Sequence, residues 1–367
     1  MEQNINRLYG VVVGILISAL LIFGGGKFYG STIANLKEKA FDKQIVTKPS
    51  LRNLNGGDVS AWNTTPEQIK ADVKSMNLNS VSVPFVIDIP NLQSSQANLR
   101  DMTHSLEIVK ELKAEGKRVI IEPYPLIASS DEGGNETSLN PTDKDLFMKN
   151  WSDAVLTVAK AVKEYAPEGL YIGSNFVKLE QTESKSFDKL IEDLRPEFKG
   201  NILYRTNFWY TADWAPETIS NFNDKKQIEF FKNVDVLSIA AYFEVSDPDE
   251  MDVTKLREKM KNVTVYNRGQ NIIKELEELH QATGKPIIFG ELGITNHTTA
   301  MKQPYAYWLD SSLPTDENIQ SVWYEAWIKE MRQYSWFYGY TIFSIGEKES
   351  AFYPNAKAQE TLRTLNK

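Results

Sequence analysis

Cysteine is absent from this chain of 367 residues. Thiolate nucleophiles, disulfides and Cys-ligated zinc are thereby excluded. An exported protein stays compatible with that absence, because export does not require disulfides. Histidine is scarce, and His104, His280 and His297 stand far apart with no metal-ligand spacing. There is no excess of basic residues: 41 Lys and Arg face 49 Asp and Glu, a formal net charge of −8. Phosphate backbones are held by clustered cations, so nucleic acid is not expected as a partner. Glycine-rich phosphate turns are missing too. No G-x-G-x-x-G or Walker loop occurs, and Gly56-Gly57 does not open a helix. No ligand cluster implies a metal or a cofactor.

Long apolar runs are absent with one exception. Leu8 to Gly26 reads LYGVVVGILISALLIFGGG, without a charge, between Arg7 and Lys27. A run of this length can cross a hydrocarbon core of about 30 Å. A cleaved signal peptide has a shorter apolar region, and Thr32-Ile33-Ala34 is only a weak cleavage site. The expectation is a short tail (1–7), a transmembrane signal anchor (8–28), a polar linker (29–49) and one large domain (50–367). Lys27, Lys37 and Lys39 follow the span while Arg7 alone precedes it, so local charge does not favour the N-terminus inside. The orientation with the large domain outside the cell membrane rests instead on the nature of that domain.

From residue 50 onward, short β-rich runs alternate with amphipathic stretches, the pattern of βα units around a parallel sheet. Strands are expected at Asn55–Trp62, Ser80–Val86, Arg118–Pro123, Gly169–Ser174, Ile202–Thr206, Val234–Ala241, Pro286–Gly290 and Gly339–Ser344. Helices are expected between them, at Pro66–Met76, Met102–Glu115, Asp143–Tyr165, Ser186–Leu194, Lys225–Phe231, Asn267–Thr283 and Glu317–Gln333, with a last one at Lys357–Leu365. Pro66 suits a first helical position, and Gly116 and Gly284 suit helix stops. Eight strands favour a closed (β/α)8 TIM barrel over an open doubly wound sheet, and about 320 residues are ample for one.

In such barrels the chemistry sits at the C-terminal ends of the strands. Glu291 is the sharpest candidate there: in Lys-Pro-Ile-Ile-Phe-Gly-Glu-Leu-Gly a buried strand runs straight into a carboxylate between two glycines. Glu122 ends the third strand, Asn175 follows the fourth, Asn207 and Trp209 follow the fifth, and Tyr242 and Glu244 follow the sixth. Aromatic residues make up 11% of the chain. Trp62, Trp209, Trp214 and Trp308, with Tyr124, fall in strand-end or loop segments, where they serve equally as loop packing or as flat platforms for sugar rings.

Three segments carry a family resemblance: Leu-Tyr-Ile-Gly-Ser-Asn (170–175), Val-Asp-Val-Leu-Ser-Ile-Ala-Ala-Tyr (234–242) and Lys-Pro-Ile-Ile-Phe-Gly-Glu-Leu-Gly (285–293). Over roughly residues 50–350 the chain resembles the retaining clan of (β/α)8 glycoside hydrolases, and most of all family 113, the endo-β-mannanase group. The resemblance implies that Glu291 is the nucleophile and that Tyr242 sits beside it. It also implies a glutamate acid/base after the fourth strand, where this chain has Asn175. An amide cannot donate a proton as a carboxylic acid does, although it can hydrogen-bond a sugar hydroxyl. In the eighth strand, Phe343 stands where the family commonly has a tryptophan.

Glu122, Glu180 and Glu244 are the alternative acid/base candidates. Substrate contacts are expected from Asn175, Asn207, Trp209, Tyr242, Trp62, Tyr124 and Trp308. The expected function is a membrane-anchored, extracytoplasmic glycoside hydrolase acting on an envelope or extracellular polysaccharide. The alternatives are an inactive glycan-binding or polysaccharide-assembly factor, or a different barrel chemistry built on Glu291 and Asn175. A second carboxyl about 5–6 Å from Glu291 would favour retaining hydrolysis, and one about 6.5–9.5 Å away inverting hydrolysis.

Overall fold

The computed structural model describes residues 48–61, 64–128, 136–306 and 313–367. The expected anchor, most of the linker, Trp62 and Trp308 lie outside the described residues. Among the described residues no helix is long and apolar enough to cross a membrane.

Eight parallel strands form the barrel: β1 (Leu54–Val59), β2 (Ser80–Ile89), β3 (Arg118–Ile127), β4 (Gly169–Ser174), β5 (Asn201–Asn207), β6 (Val236–Ala240), β7 (Ile287–Leu292) and β8 (Phe337–Ile345). Each pairs with the next, and β8 returns to β1, with Leu54 opposite Gly339 and Gly56 opposite both Thr341 and Ser80, so the sheet closes. A two-residue antiparallel strand, Asn98–Leu99, extends β2 at its end.

The connecting helices are α1 (Pro66–Ser75), α2 (Thr103–Ala114), α3 (Lys144–Val162), α4 (Ser184–Glu197), α5 (Pro216–Lys226), α6 (Val253–Lys259), α7 (Ile272–Thr283), α8 (Asn318–Met331) and α9 (Ala356–Leu365). Thr65 caps α1 by accepting from the Gln68 amide, with Pro66 at the first helical position. Gly284 ends α7 in the left-handed conformation, as a C-terminal stop requires. Helix α3 shows how the outer ring is held. Phe147, Trp151, Val155, Val158 and Val162 share its buried face, and Trp151 Nε1 donates to the Ile172 carbonyl of β4 at 2.8 Å.

The helices between β5 and β7 differ from the sequence expectation. Helix α5 starts nine residues before the expected Lys225, because Pro216 opens it and Thr218 and Phe222 supply its buried side. The expected Lys225–Phe231 helix is replaced by the end of α5 and a short 3-10 turn at Glu229–Lys232. Helix α6 has a clear cap in Asp252, which accepts from the Thr254 and Lys255 amides. The expected helix from Asn267 begins only at Ile272, because Tyr266, Asn267 and Gly269 all take positive φ.

Most of the core lies between sheet and helices. Inside the barrel a separate apolar layer, Leu54, Ile120, Tyr171, Leu203, Val236 and Ile288, fills the bottom. Two residues further along the same inward faces come Gly56, Glu122, Arg205, Ser238 and Gly290. The barrel thus turns from apolar to charged as the strands approach their C-terminal ends.

Candidate active site

One cation organises the charged layer. Arg205 of β5 is 2% exposed. Its Nη1 donates to Glu122 Oε1 at 2.5 Å and to Glu291 Oε1 at 2.8 Å, and its Nη2 donates to Asp58 Oδ2 at 2.9 Å and the Gly290 carbonyl at 3.0 Å. The guanidinium stacks on the Tyr171 ring, 4.6 Å from its centroid, and Tyr171 is tied by its hydroxyl to Ser238. A guanidinium's planar fork suits this shared clamping of carboxylates.

Three carboxyl groups therefore surround one fixed positive charge. Burial holds the Asp58 carboxyl well above the usual carboxylate range; neighbouring Glu122 pushes the same way, and Arg205 opposes. Asp58 and Glu122 are also joined by a side-chain hydrogen bond. A proton is therefore held more tightly by Asp58 than by an ordinary aspartate, and the rise has its largest cause in burial.

Glu291 stands at the upper edge of this layer, its side chain 11% exposed. A bulge puts it there. Ile239 of β6 is level with Phe289, but Ala240 is level with Glu291, so Gly290 is an extra residue in β7. Both Gly290 and Glu291 consequently face inward. Only glycine fits the first of these places: a Cβ on residue 290 would lie 2.0 Å from Ser238 Oγ, 2.6 Å from the Tyr171 hydroxyl and 2.8 Å from Arg205 Nε. Gly290→Ala is expected to destabilise the fold by about 1–3 kcal/mol through overpacking and to displace Arg205. A thermal melt checks this, and an unchanged midpoint would refute the account of the bulge.

Glu291 is held by three donors. Besides Arg205, Asn175 Nδ2 reaches Oε1 at 3.4 Å, and Tyr242 makes a side-chain hydrogen bond. Burial raises the Glu291 pKa above the ordinary value; Arg205 opposes this, Glu122 adds to it, and the bonds from Tyr242 and Asn175 lower it. Tyr242 is itself pushed well above the usual phenol range by burial and by Glu291, so it serves as a donor. Asn175 takes a left-handed backbone, φ 57°, and its amide donates to the Arg205 carbonyl at 2.8 Å. Its Oδ1 is buried without a partner among the described residues, an acceptor free for a hydroxyl of a bound molecule.

The alternative carboxylates are placed differently. Glu122 is close: one Arg205 nitrogen touches both Glu122 Oε1 and Glu291 Oε1, so those oxygens are no further apart than the two bonds together, 2.5 and 2.8 Å. That is no wider than the spacing of a retaining pair, about 5–5.5 Å. Yet both Glu122 oxygens accept from Arg205, and its side chain is 3% exposed. It belongs to the floor under Glu291. Glu180 lies on the outer side of the sheet, bonded to Tyr204, Thr206 and Lys225. Glu244 is ion-paired with Arg268 and accepts from the Tyr305 hydroxyl at 3.2 Å.

A carboxyl that the strand-end reasoning passed over enters the mouth from the loop after β3. Glu136 heads a short 3-10 turn, Glu136–Ser138. Its pKa is pushed up to about 7, first by burial, with Glu291 and Glu122 adding to the rise and Arg205 opposing it. By surface area the residue is half-buried, and its carboxyl is within electrostatic reach of Glu291, Glu122 and Arg205. Tyr124, two residues past Glu122 on the same face, is raised by burial and then by Glu136 ahead of Glu122 and Glu291, which puts it among these three. The signal for Glu136 in the sequence was its place in a long loop at the C-terminal face of the barrel.

The remaining expected contacts are mixed. Asn207 ends β5, half-buried and level with Ala240. Trp209 is a packing residue: its ring stacks on Phe222 at 5.1 Å, and its Nε1 donates to Glu275 at 2.8 Å. The aromatic lining of the mouth comes instead from Phe208, Tyr305, Phe343 and Phe352, which pack around Tyr242. Among the described residues no group of His, Cys, Asp and Glu is arranged to hold a metal ion.

A closed parallel barrel with carboxyl groups converging at its C-terminal mouth is the architecture of a glycoside hydrolase-like protein. The model of Glycoside Hydrolase Family 113 matches residues 78–363, and the chain belongs to that family. The fold agrees with solved structures. A GH113 β-1,4-mannanase superposes with a TM-score of 0.68 at 15% identity, covering 86% of this chain and 99% of that one. The GH113 β-mannanase AaManA from Alicyclobacillus acidocaldarius, in complex with ManMIm, gives 0.65 at 15% identity over 85% and 96%. A β-D-glucuronidase from Dictyoglomus thermophilum gives 0.56 at 14% identity, over 87% of this chain but 51% of that one. No curated protein matches the chain by sequence.

Proposed function

We propose that this chain hydrolyses a β-linked polysaccharide with retention, Glu291 acting as nucleophile and Glu136 as acid/base. This reading is supported by an arginine-clamped carboxylate, Glu291, with a second carboxyl, Glu136, within its electrostatic reach and raised to about 7. The Glu291 carboxylate attacks the anomeric carbon as the bond to the departing oxygen breaks. Glu136 gives its proton to that oxygen. Glu136 then takes a proton from water, which cleaves the glycosyl ester and frees Glu291. An acid with a pKa near 7 is well poised for both halves of this cycle at neutral pH. Tyr242 and Arg205 bind the carboxylate before attack and after release, and the open Asn175 Oδ1 accepts from a sugar hydroxyl.

A β-mannan is the first substrate to try, since the superposed family members are named as β-mannanases. The uncharged run Leu8–Gly26 supports a membrane anchor, and the reading of the barrel as a polysaccharide hydrolase supports its lying outside the cell. There, a tethered hydrolase would act on envelope or nearby extracellular polymer. A second reading, a glycan-binding or polysaccharide-assembly factor without turnover, is favoured by Asn175 standing where the family carries its acid.

The test is Glu136→Gln. Removing a general acid lowers kcat by about 10²–10⁴-fold. Activity of the wild-type protein is expected to fall as pH rises through about 7, where Glu136 loses its proton. The variant should lose that alkaline limb, and its deficit should shrink on aryl glycosides whose leaving group needs no proton. NMR of the first-formed product reads retention or inversion. Glycan binding without turnover in the wild type, across mannans, glucans and envelope polymers, would establish the second reading.

A further inference from the structure

Six large apolar side chains are exposed among the described residues, and three of them gather in one place: Tyr210, Trp214 and Tyr266, at 38%, 60% and 45%. Tyr210 and Trp214 come from the loop after β5, and Tyr266 from the segment between α6 and α7. The first loop leaves the C-terminal end of β5, and Tyr266 shortly precedes α7, which leads back to the start of β7, so the cluster lies on the face of the barrel that carries Glu291. We propose that these three rings form a second carbohydrate-binding surface, which holds an extended stretch of the same polysaccharide away from Glu291. The proposal rests on the reading of the barrel as a carbohydrate site.

The rings are fixed in place. Arg268 lies between two of them, its guanidinium carbon 4.0 Å from the Tyr210 centroid and 5.0 Å from that of Tyr266, and it is ion-paired to Glu244. Trp214 spends its only donor on the Asn267 carbonyl at 3.2 Å. With that donor occupied, what Trp214 offers to solvent is apolar ring surface. Tyr266 and Asn267 both sit at positive φ, 54° and 55°, a costly backbone for two non-glycine residues in succession. Clamping Arg268 accounts for the two tyrosines but not for a pinned tryptophan left 60% exposed.

Beside the rings is a recess of about 280 Å³ whose lining includes Thr211, Asp213, Asn223, Arg268, Asn271 and Lys274. Flat apolar faces next to short hydrogen-bonding side chains match a pyranose, which offers C–H faces and a rim of hydroxyls. The recess lining mixes apolar surface with hydroxyl, amide and charged groups, as the alternating faces and rim of a sugar ring require. The cluster is also continuous with the mouth. Glu244 bonds Tyr305, Tyr305 stacks on Phe208 at 5.5 Å, and both pack against the group containing Tyr242, the neighbour of Glu291.

The experiment compares full-length wild type with the double variant Trp214→Ala, Tyr266→Ala on soluble β-1,4-mannan and on β-1,4-mannotetraose, repeated on whichever β-linked polymer the wild type turns over or binds best. Loss of two stacking faces is expected to raise KM for the polymer about tenfold, with kcat and the tetramer kinetics unchanged. Affinity electrophoresis in the Glu291→Gln background reads the same loss without turnover. Equal losses on polymer and tetramer, or none on the polymer, overturn the second surface while leaving the hydrolase reading intact. Capture of a protein in place of glycan overturns it as well. Wild type that neither binds nor cleaves any glycan removes both readings together. Exposed rings contribute little to folding, so an unchanged thermal midpoint is expected, and Trp214→Phe should restore most of the polymer affinity.

Discussion

Glu291→Gln is expected to abolish turnover, by at least about 10⁴-fold, while leaving the barrel as stable as before or more so. The two halves of this prediction have one cause. Burial and Glu122 make the ionised Glu291 costly, and Arg205, Tyr242 and Asn175 only partly offset that cost. An amide keeps a carbonyl oxygen to accept from Arg205 and Asn175, fills the same volume and carries no charge. One of three carboxyls competing for Arg205 disappears, so the folded state loses a strain and the chemistry loses its nucleophile. Such a trade of stability against activity is common where a site must hold charge in the interior. The measurement pairs kcat on an aryl β-glycoside with a thermal melt. A smaller residue opens a further check: with Glu291→Ala, azide should enter the vacated space, attack the anomeric carbon and expel the activated aryl oxide. That displacement yields a glycosyl azide of inverted configuration. Retention of more than about 1% of wild-type activity by Glu291→Gln would remove Glu291 from the role of nucleophile.

The barrel was legible because its strands and most of its helices declared themselves locally. Apolar runs of strand length, Pro66 at a helix start, and Gly116 and Gly284 at helix ends all depend on neighbours a few residues away. Glu291 was legible for the same reason, being the first charge after a buried strand. The loops between β5 and β7 were harder, since α5 and α6 bury only Thr218, Phe222 and Leu256 between them and leave a weak periodic trace. The wiring of the site was not legible from local pattern. Arg205 interrupts the strand Asn-Ile-Leu-Tyr-Arg-Thr-Asn, and a buried strand cannot carry an arginine without carboxylate partners. That requirement can be read from the sequence. The partners cannot, since Asp58, Glu122 and Glu291 are brought to it by barrel closure. Trp209 looked like Trp214 in sequence; only the stack on Phe222 and the bond to Glu275 separate the buried ring from the exposed one.

The same closure makes Arg205 the residue on which the interior most depends. Arg205→Met keeps much of the stem and its stack on Tyr171 but leaves Asp58, Glu122 and Glu291 buried with no cation among them. Breaking a buried ion pair from one side costs about 3–5 kcal/mol, which corresponds to a fall in melting temperature of roughly 10 °C for a domain of this size. The loss should depend on pH with a definite sign. Arg205 lowers the pKa of both Asp58 and Glu291, and both are raised above their ordinary values even in its presence. Without it they rise further, so the folded variant binds more protons than the unfolded chain, and its stability falls as pH rises. The gap between variant and wild type should therefore widen as pH rises and narrow as pH falls. Arg205→Lys should lie between the two, because one ammonium restores the charge but cannot bridge Glu122, Glu291 and Asp58 with a planar fork. Adding Asp58→Asn to Arg205→Met should recover part of the stability by removing one of the stranded carboxyls, without restoring activity. A gap independent of pH would mean that Arg205 acts through packing on Tyr171, and that charge is not what it contributes to this interior.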